Sequence, residues 1–334
     1  MKYRKVGRTD IEVSVVCHGC WSIISDATWG PQDEADSIAA IRASLDAGVN
    51  FFDTAELYGN GASEELLGRA LKKVRDRVVL ASKALPQHLM PAELKSACEN
   101  SLKRLRTDRI DLYQIHWPNP DVPLADTIGA MEELRASGKI GYAAVANFGT
   151  SYLREALAAG RVESNQLCYS LLWRPIEYEV RPLCVEQDVG ILCYSPLCQG
   201  LLTGKFASPD EVPESRARTR LFSGSRPRAR HGQAGCEDEA FAALGEIRRV
   251  CDQAGVGMCQ ASLAWLLAQS GVASVTCGAR NARQARENAG AGDVELSGEL
   301  IQRLAVATEK VKTCAGTNAD FWMSTSRMER EFVR

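Results

Sequence analysis

Long apolar runs and an excess of charge of either sign are both missing from this chain. No apolar run approaches the roughly 20 residues that a membrane-spanning helix needs, so no such helix is predicted. The formal net charge is −2 over 334 residues, which gives no reason to expect nucleic acid or an anionic membrane as a partner. Met1–Asp10 is charged and lacks the apolar stretch of a secretory signal. We therefore expect a cytoplasmic protein.

Histidine is also scarce, with four in the whole chain. No two of them stand at the spacing with which a helix presents a pair of metal ligands. A metal-dependent hydrolase that uses His18, Asp53 and His116 is therefore a weakly supported alternative, and we expect no bound metal.

Cysteine, by contrast, is frequent, with twelve in the chain. Many of these residues lie inside apolar runs, as Cys193 does within Gly190–Tyr194. A free buried cysteine behaves as a small hydrophobic residue, so we expect reduced thiols in the core. Cys17 and Cys20 flank His18, but no second Cys/His pair follows at metal-ligand spacing, and the stretch is interpreted as part of a strand.

Short apolar runs alternate with longer helical patterns along most of the chain. Strands that are apolar on both faces and alternate with helices indicate a parallel sheet covered on both sides, and eight units favour a closed (β/α)8 TIM barrel, an α/β fold. The predicted strands are Val15–Cys20, Val49–Phe52, Val78–Ala81, Ile110–Ile115, Ile140–Val145, Val162–Asn165, Gly190–Tyr194 and Val272–Thr276. The predicted helices are Glu34–Ala47, Glu64–Lys72, Ala92–Leu105, Ala125–Ser137, Ser151–Ala158, Val180–Gln187, Phe241–Ala254 and Arg283–Ala289.

Three segments exceed the minimum for a barrel. Tyr3–Val13 is predicted to form an N-terminal hairpin around Gly7–Arg8, and Ser297–Lys312 an extra C-terminal helix followed by an irregular tail. The long loop after the seventh strand, Gln199–Glu237, is rich in Arg, Ser, Pro and Gly, and a loop of this length is usually either a functional lid or disordered. We expect residues 1–334 to form a single domain.

Polar residues follow most of the predicted strands. In a parallel barrel the active site lies at the carboxyl ends of the strands, so these side chains are candidate site residues. They are Asp53, Lys83, His116, Asn147, Gln166, Tyr194 and Ser195.

Tyr58 stands five residues beyond Asp53, in a loop that continues through Gly59–Gly61. A phenol has a pKa near 10, and a nearby ammonium such as that of Lys83 favours the phenolate and lowers this pKa. Asp53 can pair with the lysine, and His116 can hydrogen-bond a substrate oxygen. The group therefore predicts acid–base catalysis at a carbonyl or alcohol by Tyr58.

The stretch from Phe52 to Gly59, continued by Ser63–Gly68, resembles the aldo-keto reductase signature. So do Ser82–Lys83, Asp111–His116 and Asn147–Phe148. The match runs in order from about residue 2 to residue 290 and is most similar to the bacterial members with a long loop after strand seven.

The resemblance implies a function and a set of site residues. The function is the interconversion of a small aldehyde, ketone or sugar carbonyl with an alcohol by NADP(H), with Asp53, Tyr58, Lys83 and His116 as the catalytic tetrad. Asn147 and Gln166 would bind the nicotinamide carboxamide, Tyr194 would stack on its ring, and Ser195–Leu202 would bind the pyrophosphate. The implied cofactor-binding residues are Asn147, Gln166, Tyr194, Ser195, Leu197, Gly200, Leu202, Gly278, Arg280, Gln284, Glu287 and Asn288. Among these, Arg280 is the natural partner for a 2′-phosphate.

Three points stay open from the sequence. The family fold also serves as a redox-sensing regulatory subunit that binds cofactor with little turnover, and nothing in the sequence excludes this. The arginines between 216 and 230 fit either a cationic lid over the cofactor phosphates or a solvated surface. Trp21 and Trp117 are candidate substrate-binding residues, with Trp29 and Trp173 as further aromatic residues that either line the pocket or pack the barrel mouth.

Overall fold

The computed structural model describes residues 1–330 and is built around eight parallel strands that close into a barrel. Each barrel strand pairs with the next along the chain, and the last pairs with the first. The strands are β1 (Tyr3–Lys5), β2 (Glu12–Ser14), β3 (Val16–Gly19), β4 (Phe51–Asp53), β5 (Val79–Ala84), β6 (Ile110–Ile115), β7 (Ile140–Ala146), β8 (Ser164–Cys168), β9 (Gly190–Tyr194) and β10 (Val272–Gly278). The predicted barrel is confirmed, with β3 to β10 as its eight strands. The predicted domain continues to Arg334, and its last four residues lie outside the described residues.

The antiparallel β1–β2 hairpin closes the amino-terminal end of the barrel. Val6 and Val13, both fully buried, pack against the apolar layer inside the barrel. The turn between the strands passes so close to the barrel that a Cβ on Gly7 would lie 2.2 Å from the carbonyl oxygen of Glu163, and Gly7 itself has a φ of +50°. Because one end is sealed in this way, the barrel is left open only at the carboxyl ends of its strands.

Helices cover the outside of the barrel and bury the larger of its apolar clusters. They are α1 (Glu34–Asp46), α2 (Ala62–Leu71), α3 (Pro91–Leu105), α4 (Leu124–Ala136), α5 (Thr150–Ala159), α6 (Val180–Glu186), α7 (Glu237–Ala254), α8 (Met258–Leu267), α9 (Ala282–Gly290), α10 (Gly298–Ala307) and α11 (Glu309–Ala315). Within residues 1–330, no helix combines the length and the apolar character that crossing a membrane requires.

Two helix predictions differ from the structure. The segment predicted as one helix, Ser297–Lys312, is two helices that meet at Thr308, whose hydroxyl donates to the carbonyl oxygens of Leu304 and Ala305. Helix α8 was not predicted at all. Its residues are almost all apolar and buried, so the sequence lacks the alternation of polar and apolar residues by which a helix is recognised.

The long loop and the C-terminal tail are joined by Arg220, which is 5% exposed. Its guanidinium donates to the carbonyl oxygens of Ala315, Asn318 and Asp320, and to the side chain of Gln233. Because these four hydrogen bonds join the long loop to the C-terminal tail, they fix the two segments relative to each other. At this position the arginine run is structural and does not face solvent.

The expectation that all cysteines are reduced is wrong for one pair. Cys236, at the end of the long loop, forms a disulfide with Cys314 in α11. The other ten cysteines are free, and all of them except Cys259 are buried, as expected for small core residues.

Candidate active site

The residues that line the barrel change from apolar to polar toward the open end. Alternate residues of a strand point to the same side, so Asp53 and Lys83 follow the interior residues Phe51 and Ala81 by two positions. Gln114 follows the interior residue Leu112 in the same way on β6 and was missed from the sequence, although the same alternation predicts it. Asp53, Lys83 and Gln114 are each almost fully buried.

Lys83 and Asp53 form a buried ion pair at the centre of this layer. The ammonium nitrogen of Lys83 lies 2.5 Å from Asp53 Oδ1 and donates to the carbonyl oxygen of Thr54 at 2.8 Å. The other carboxylate oxygen of Asp53 accepts from Gln114 at 3.0 Å and from Gln166 at 2.9 Å. Burial lowers the pKa of Lys83, but the neighbouring Asp53 outweighs burial and raises this pKa above its ordinary value. Lys83 is therefore charged at neutral pH.

The phenol of Tyr58 lies directly above this ion pair. Its hydroxyl oxygen is 3.4 Å from the ammonium nitrogen of Lys83, which also lies 5.1 Å from the centre of the phenol ring. Burial raises the pKa of Tyr58, and Lys83 lowers it, with a net shift upward. The expected lowering of the Tyr58 pKa is thus wrong in direction, because loss of solvent outweighs the ammonium. Tyr58 is a protonated phenol at neutral pH.

His116 stands at right angles to Tyr58, with the ring centres 5.9 Å apart. Burial and the positive charge of Lys83 hold the pKa of His116 well below its ordinary value, so the imidazole is neutral. Its Nδ1 atom is buried and has no hydrogen-bond partner among residues 1–330. Asp53, Tyr58, Lys83 and His116, predicted separately from four segments, are therefore brought together.

The metal-site alternative receives no support from this geometry. His18 is buried and its Nδ1 atom hydrogen-bonds the hydroxyl of Ser44 on α1, outside the polar layer. In the part of the chain that the structure describes, no three histidine, cysteine, aspartate or glutamate residues are arranged to hold a metal ion.

Asn147 and Tyr194 meet beside His116. The Asn147 side chain donates to the carbonyl oxygen of His116 at 3.0 Å and accepts from the Tyr194 hydroxyl at 2.8 Å. Asn147 has a φ of +61°, which is rare outside glycine and is typical of functional sites. Its amide is thus already paired, as is that of Gln166 through Asp53, and a bound carboxamide would have to exchange with these contacts.

The loop after β9 has an unusual run of left-handed backbone. Ser195, Cys198, Gln199 and Gly200 all have φ values between +47° and +100°. The backbone N–H groups of Cys198 and Gly200 donate to the carbonyl oxygens of Ser195 and Leu197, so this backbone forms tight turns immediately after β9. Of the other two residues predicted here, Leu197 is partly buried, whereas Leu202 is fully buried in the apolar core.

Arg280 follows β10, and the loop after β3 contacts it. Its guanidinium donates to the carbonyl oxygens of Trp29 and Pro31 and, at 2.7 Å, to the side chain of Gln32. The Gln284 side chain accepts from the Arg280 backbone N–H.

The other residues predicted near Arg280 lie on or beside α9. Asn288 donates to the carbonyl oxygen of Gly278, and Glu287 forms an exposed ion pair with Arg283. The Asn288 contact ties the last turn of α9 to the end of β10.

Two further cations lie close to Arg280 and were not predicted as cofactor ligands. Arg216 is partly buried and Lys205 is exposed, and the pKa of each is lowered by loss of solvent and by the neighbouring positive charges. Neither forms an ion pair with an acidic residue of the described chain, and Arg216 Nε is buried without a partner there. Uncompensated positive charge of this kind fits phosphate groups. In the sequence Arg216 is only one member of the arginine run, and no motif there points to Lys205 as a phosphate ligand.

Comparison with known proteins decides the family. The model of the aldo/keto reductase family matches residues 15–309. The chain belongs to this family. It is therefore an oxidoreductase, as the sequence predicts.

Three relatives illustrate the range of the family. The aldo-keto reductase YhdN of Bacillus subtilis (strain 168) is 35% identical over 295 residues, covering 85% of this chain and 86% of that protein. The NADH-specific methylglyoxal reductase of Escherichia coli (strain K12) is 32% identical, covering 93% of this chain and 100% of that protein. A Klebsiella pneumoniae aldo-keto reductase, solved in complex with NADPH, aligns with a TM-score of 0.73 and 31% identity over 93% of this chain and 96% of that one.

The tryptophans of this aldo/keto reductase differ in their positions. Trp21 stacks on Tyr58 with ring centres 6.1 Å apart, and Trp29 meets Trp21 edge to face. Trp117 is partly buried beneath the guanidinium of Arg327, which lies 3.8 Å from its ring centre. Trp173 is fully buried against Phe321, so it is a packing residue and does not line an open pocket.

Proposed function

We propose that this aldo/keto reductase interconverts a carbonyl and an alcohol with NADP(H), and that Tyr58 is the general acid in reduction and the general base in oxidation. The substrate is a small aldehyde, ketone or sugar. One observation carries the proposal: a protonated phenol lies beside a neutral imidazole and above the Lys83–Asp53 ion pair.

The proton transfer follows from these positions. The raised pKa keeps the proton on the Tyr58 oxygen until a substrate oxygen gains negative charge. When Tyr58 gives up this proton, the ammonium at 3.4 Å stabilises the phenolate that forms. His116, neutral and therefore able to donate one hydrogen bond, orients the carbonyl oxygen toward Tyr58.

The nicotinamide cofactor supplies the hydride when it is bound. Asn147, Gln166 and Tyr194 would hold its nicotinamide end, and the backbone from Ser195 to Leu202 its pyrophosphate. At the adenosine end, Gly278, Gln284, Glu287 and Asn288 would surround the ribose and base beside Arg280.

A preference for NADP(H) over NAD(H) is part of the proposal. Lys205, Arg216 and Arg280 lie close to one another and concentrate positive charge where a 2′-phosphate would lie. The cofactor named for the relatives varies, since one was solved with NADPH and another is an NADH-specific enzyme. The preference therefore rests on these three side chains.

Fluorescence titration of the purified protein with NADPH and with NADH tests the cofactor site. Quenching of tryptophan emission is expected at lower concentrations of NADPH than of NADH. Arg280→Gln is expected to weaken NADPH binding about 10-fold or more and to change NADH binding little, because it removes a charge-assisted pair of hydrogen bonds to the phosphate. Equal binding of both cofactors by the wild-type protein would refute the preference.

Steady-state reduction of methylglyoxal and of simple aldehydes tests the role of Tyr58. Tyr58→Phe is expected to lower kcat by about 10²- to 10⁴-fold with unchanged NADPH binding, because only the proton donor is lost. Tyr178→Phe, at an exposed tyrosine, is the matched control and should leave kcat unchanged. Tight NADPH binding without turnover on any carbonyl would instead favour a cofactor-binding regulatory subunit.

A further inference from the structure

Arg218 spans the open end of the barrel between two segments that flank the catalytic tetrad. On one side its guanidinium donates to the hydroxyl of Thr28 at 3.2 Å, in the loop after β3. On the other side it lies 4.9 Å from the ring centre of Trp322, in the C-terminal tail.

Both segments reach the catalytic residues through short contacts. In the loop, Asp26 accepts from the indole N–H of Trp21 at 2.7 Å, and Trp21 stacks on Tyr58. In the tail, Arg327 covers Trp117, the residue that directly follows His116. Arg218 is therefore a part of the wall of the catalytic mouth.

The charge of Arg218 is not compensated by a carboxylate within residues 1–330. It forms no ion pair there, and its Nε atom is buried without a hydrogen-bond partner. Asp26 is the acidic residue near it, but the carboxylate oxygens of Asp26 already accept from Trp21 and from the backbone N–H groups of Thr28 and Trp29. A partly buried guanidinium with a free donor is costly unless a ligand completes it.

The surroundings of Arg218 add positive charge. Arg228 donates to the carbonyl oxygen of Ala27, one residue before Thr28, and Arg230 is close enough to lower the pKa of Arg218 together with burial. Arg226, in the same part of the long loop, is instead paired with Glu214 and Glu237 and adds no uncompensated charge.

We propose that the substrate is a carbonyl compound that carries a carboxylate, and that Arg218 binds this carboxylate while Tyr58 faces the carbonyl. The proposal rests on the proposed function and adds the substrate class to it. A guanidinium forms paired hydrogen bonds with a carboxylate. Trp21 stacks on Tyr58 and Trp322 lies against the Arg218 guanidinium, so an aromatic ring stands at each end of the proposed substrate site.

The cofactor is a less suitable partner for Arg218. Lys205 and Arg216, from the same long loop, lie near Arg280, whereas the charged neighbours of Arg218 are Arg230, Asp26 and Arg228. Both sets of cations touch the Thr28–Trp29 segment, and we assign Lys205, Arg216 and Arg280 to the cofactor and Arg218 to the substrate.

Two aldehydes of the same shape provide the test: 4-carboxybenzaldehyde and its neutral amide, 4-carbamoylbenzaldehyde, reduced with NADPH. The wild-type protein is expected to prefer the carboxylate by about 10- to 100-fold in kcat/KM. The amide is the more electrophilic aldehyde, so this preference has to come from binding. Arg218→Gln should remove the preference by raising KM for the carboxylate, with a much smaller effect on kcat/KM for the amide.

Control variants and outcomes separate this proposal from the proposed function. Arg218→Lys, which keeps the charge but loses the paired hydrogen bonds, should restore part of the preference, and Arg249→Gln, at an exposed arginine on α7, should change neither substrate. Equal turnover of the two aldehydes by the wild-type protein would overturn the proposal and leave the carbonyl reductase intact. A weaker affinity of Arg218→Gln for NADPH would overturn it in favour of a cofactor contact, and no turnover of either aldehyde would overturn both.

Discussion

Substitutions in the Lys83–Asp53 ion pair are expected to affect stability and catalysis differently. Lys83→Met removes the ammonium and leaves the Asp53 carboxylate buried, with only the amides of Gln114 and Gln166 beside it. Breaking a buried ion pair on one side typically costs about 3 to 5 kcal/mol, because the remaining charge has lost both water and partner. Asp53→Asn should cost a similar amount, since it leaves the Lys83 ammonium uncompensated.

The double variant, Asp53→Asn with Lys83→Met, is expected to recover most of this loss. It contains no buried charge, and the new amide oxygen at position 53 can still accept from the two glutamines. Replacing a whole buried pair by neutral groups is often close to neutral in stability. The free energy of unfolding of the double variant should therefore fall by at least about 3 kcal/mol less than the sum of the two single losses.

Urea unfolding at pH 7, followed by tryptophan fluorescence, measures all four members of this cycle. Losses that simply add would refute the interpretation of Lys83 and Asp53 as one electrostatic unit. Turnover has to be measured on the same samples, because the double variant should be stable and still inactive. Recovered activity would show that Tyr58 does not depend on the ammonium.

Three further predictions concern stability and the thiols. Burial lowers the pKa of His18 to about 4, so between pH 6.5 and pH 4 the unfolded chain binds a proton that the folded chain does not. In urea unfolding, the wild-type protein should therefore lose about 2 kcal/mol more stability than His18→Gln between pH 7 and pH 5. Equal losses in the two proteins would contradict this. Gly68→Ala should lower the thermal midpoint of unfolding, because the added Cβ would lie 2.5 Å from the carbonyl oxygen of Leu105. Gly129→Ala, whose Cβ would meet nothing within 4 Å, should raise stability by up to about 1 kcal/mol. A change of the same sign in both variants would be evidence against the packing argument. Thiol titration of the denatured, unreduced protein should find ten groups, and twelve would mean that Cys236 and Cys314 are not bonded.

The sequence was most informative where chemistry follows the strand period. Asp53 and Lys83 each come at or near the end of an apolar run, and a barrel brings such ends together whatever the details of the helices. Gln114 shows the limit of a search for strand-end residues, because it lies one residue before the end of β6 and reads as part of the strand. Its place in the interior follows from its register with Leu112, which the sequence contains but a search for strand ends overlooks.

Contacts between distant loops are what the sequence could not provide. Arg280 binds Trp29–Gln32, about 250 residues earlier, and no local pattern connects the two. The direction of the Tyr58 pKa shift was also out of reach, because it depends on how completely the mouth excludes water. Helix α8 was hidden for a local reason, since burial on all sides removes the periodic polar face.

The hydrogen bonds between Arg280 and the Trp29–Gln32 loop affect the free energy of cofactor binding. Three oxygens of this loop already occupy the guanidinium that we assign to the 2′-phosphate, so the loop acts as an internal competitor. The measured affinity for NADP(H) is then the intrinsic affinity multiplied by the fraction of molecules in which the loop no longer hydrogen-bonds Arg280. Evolution can therefore retune the strength of NADP(H) binding through the sequence of this loop, without altering any residue that contacts the phosphate.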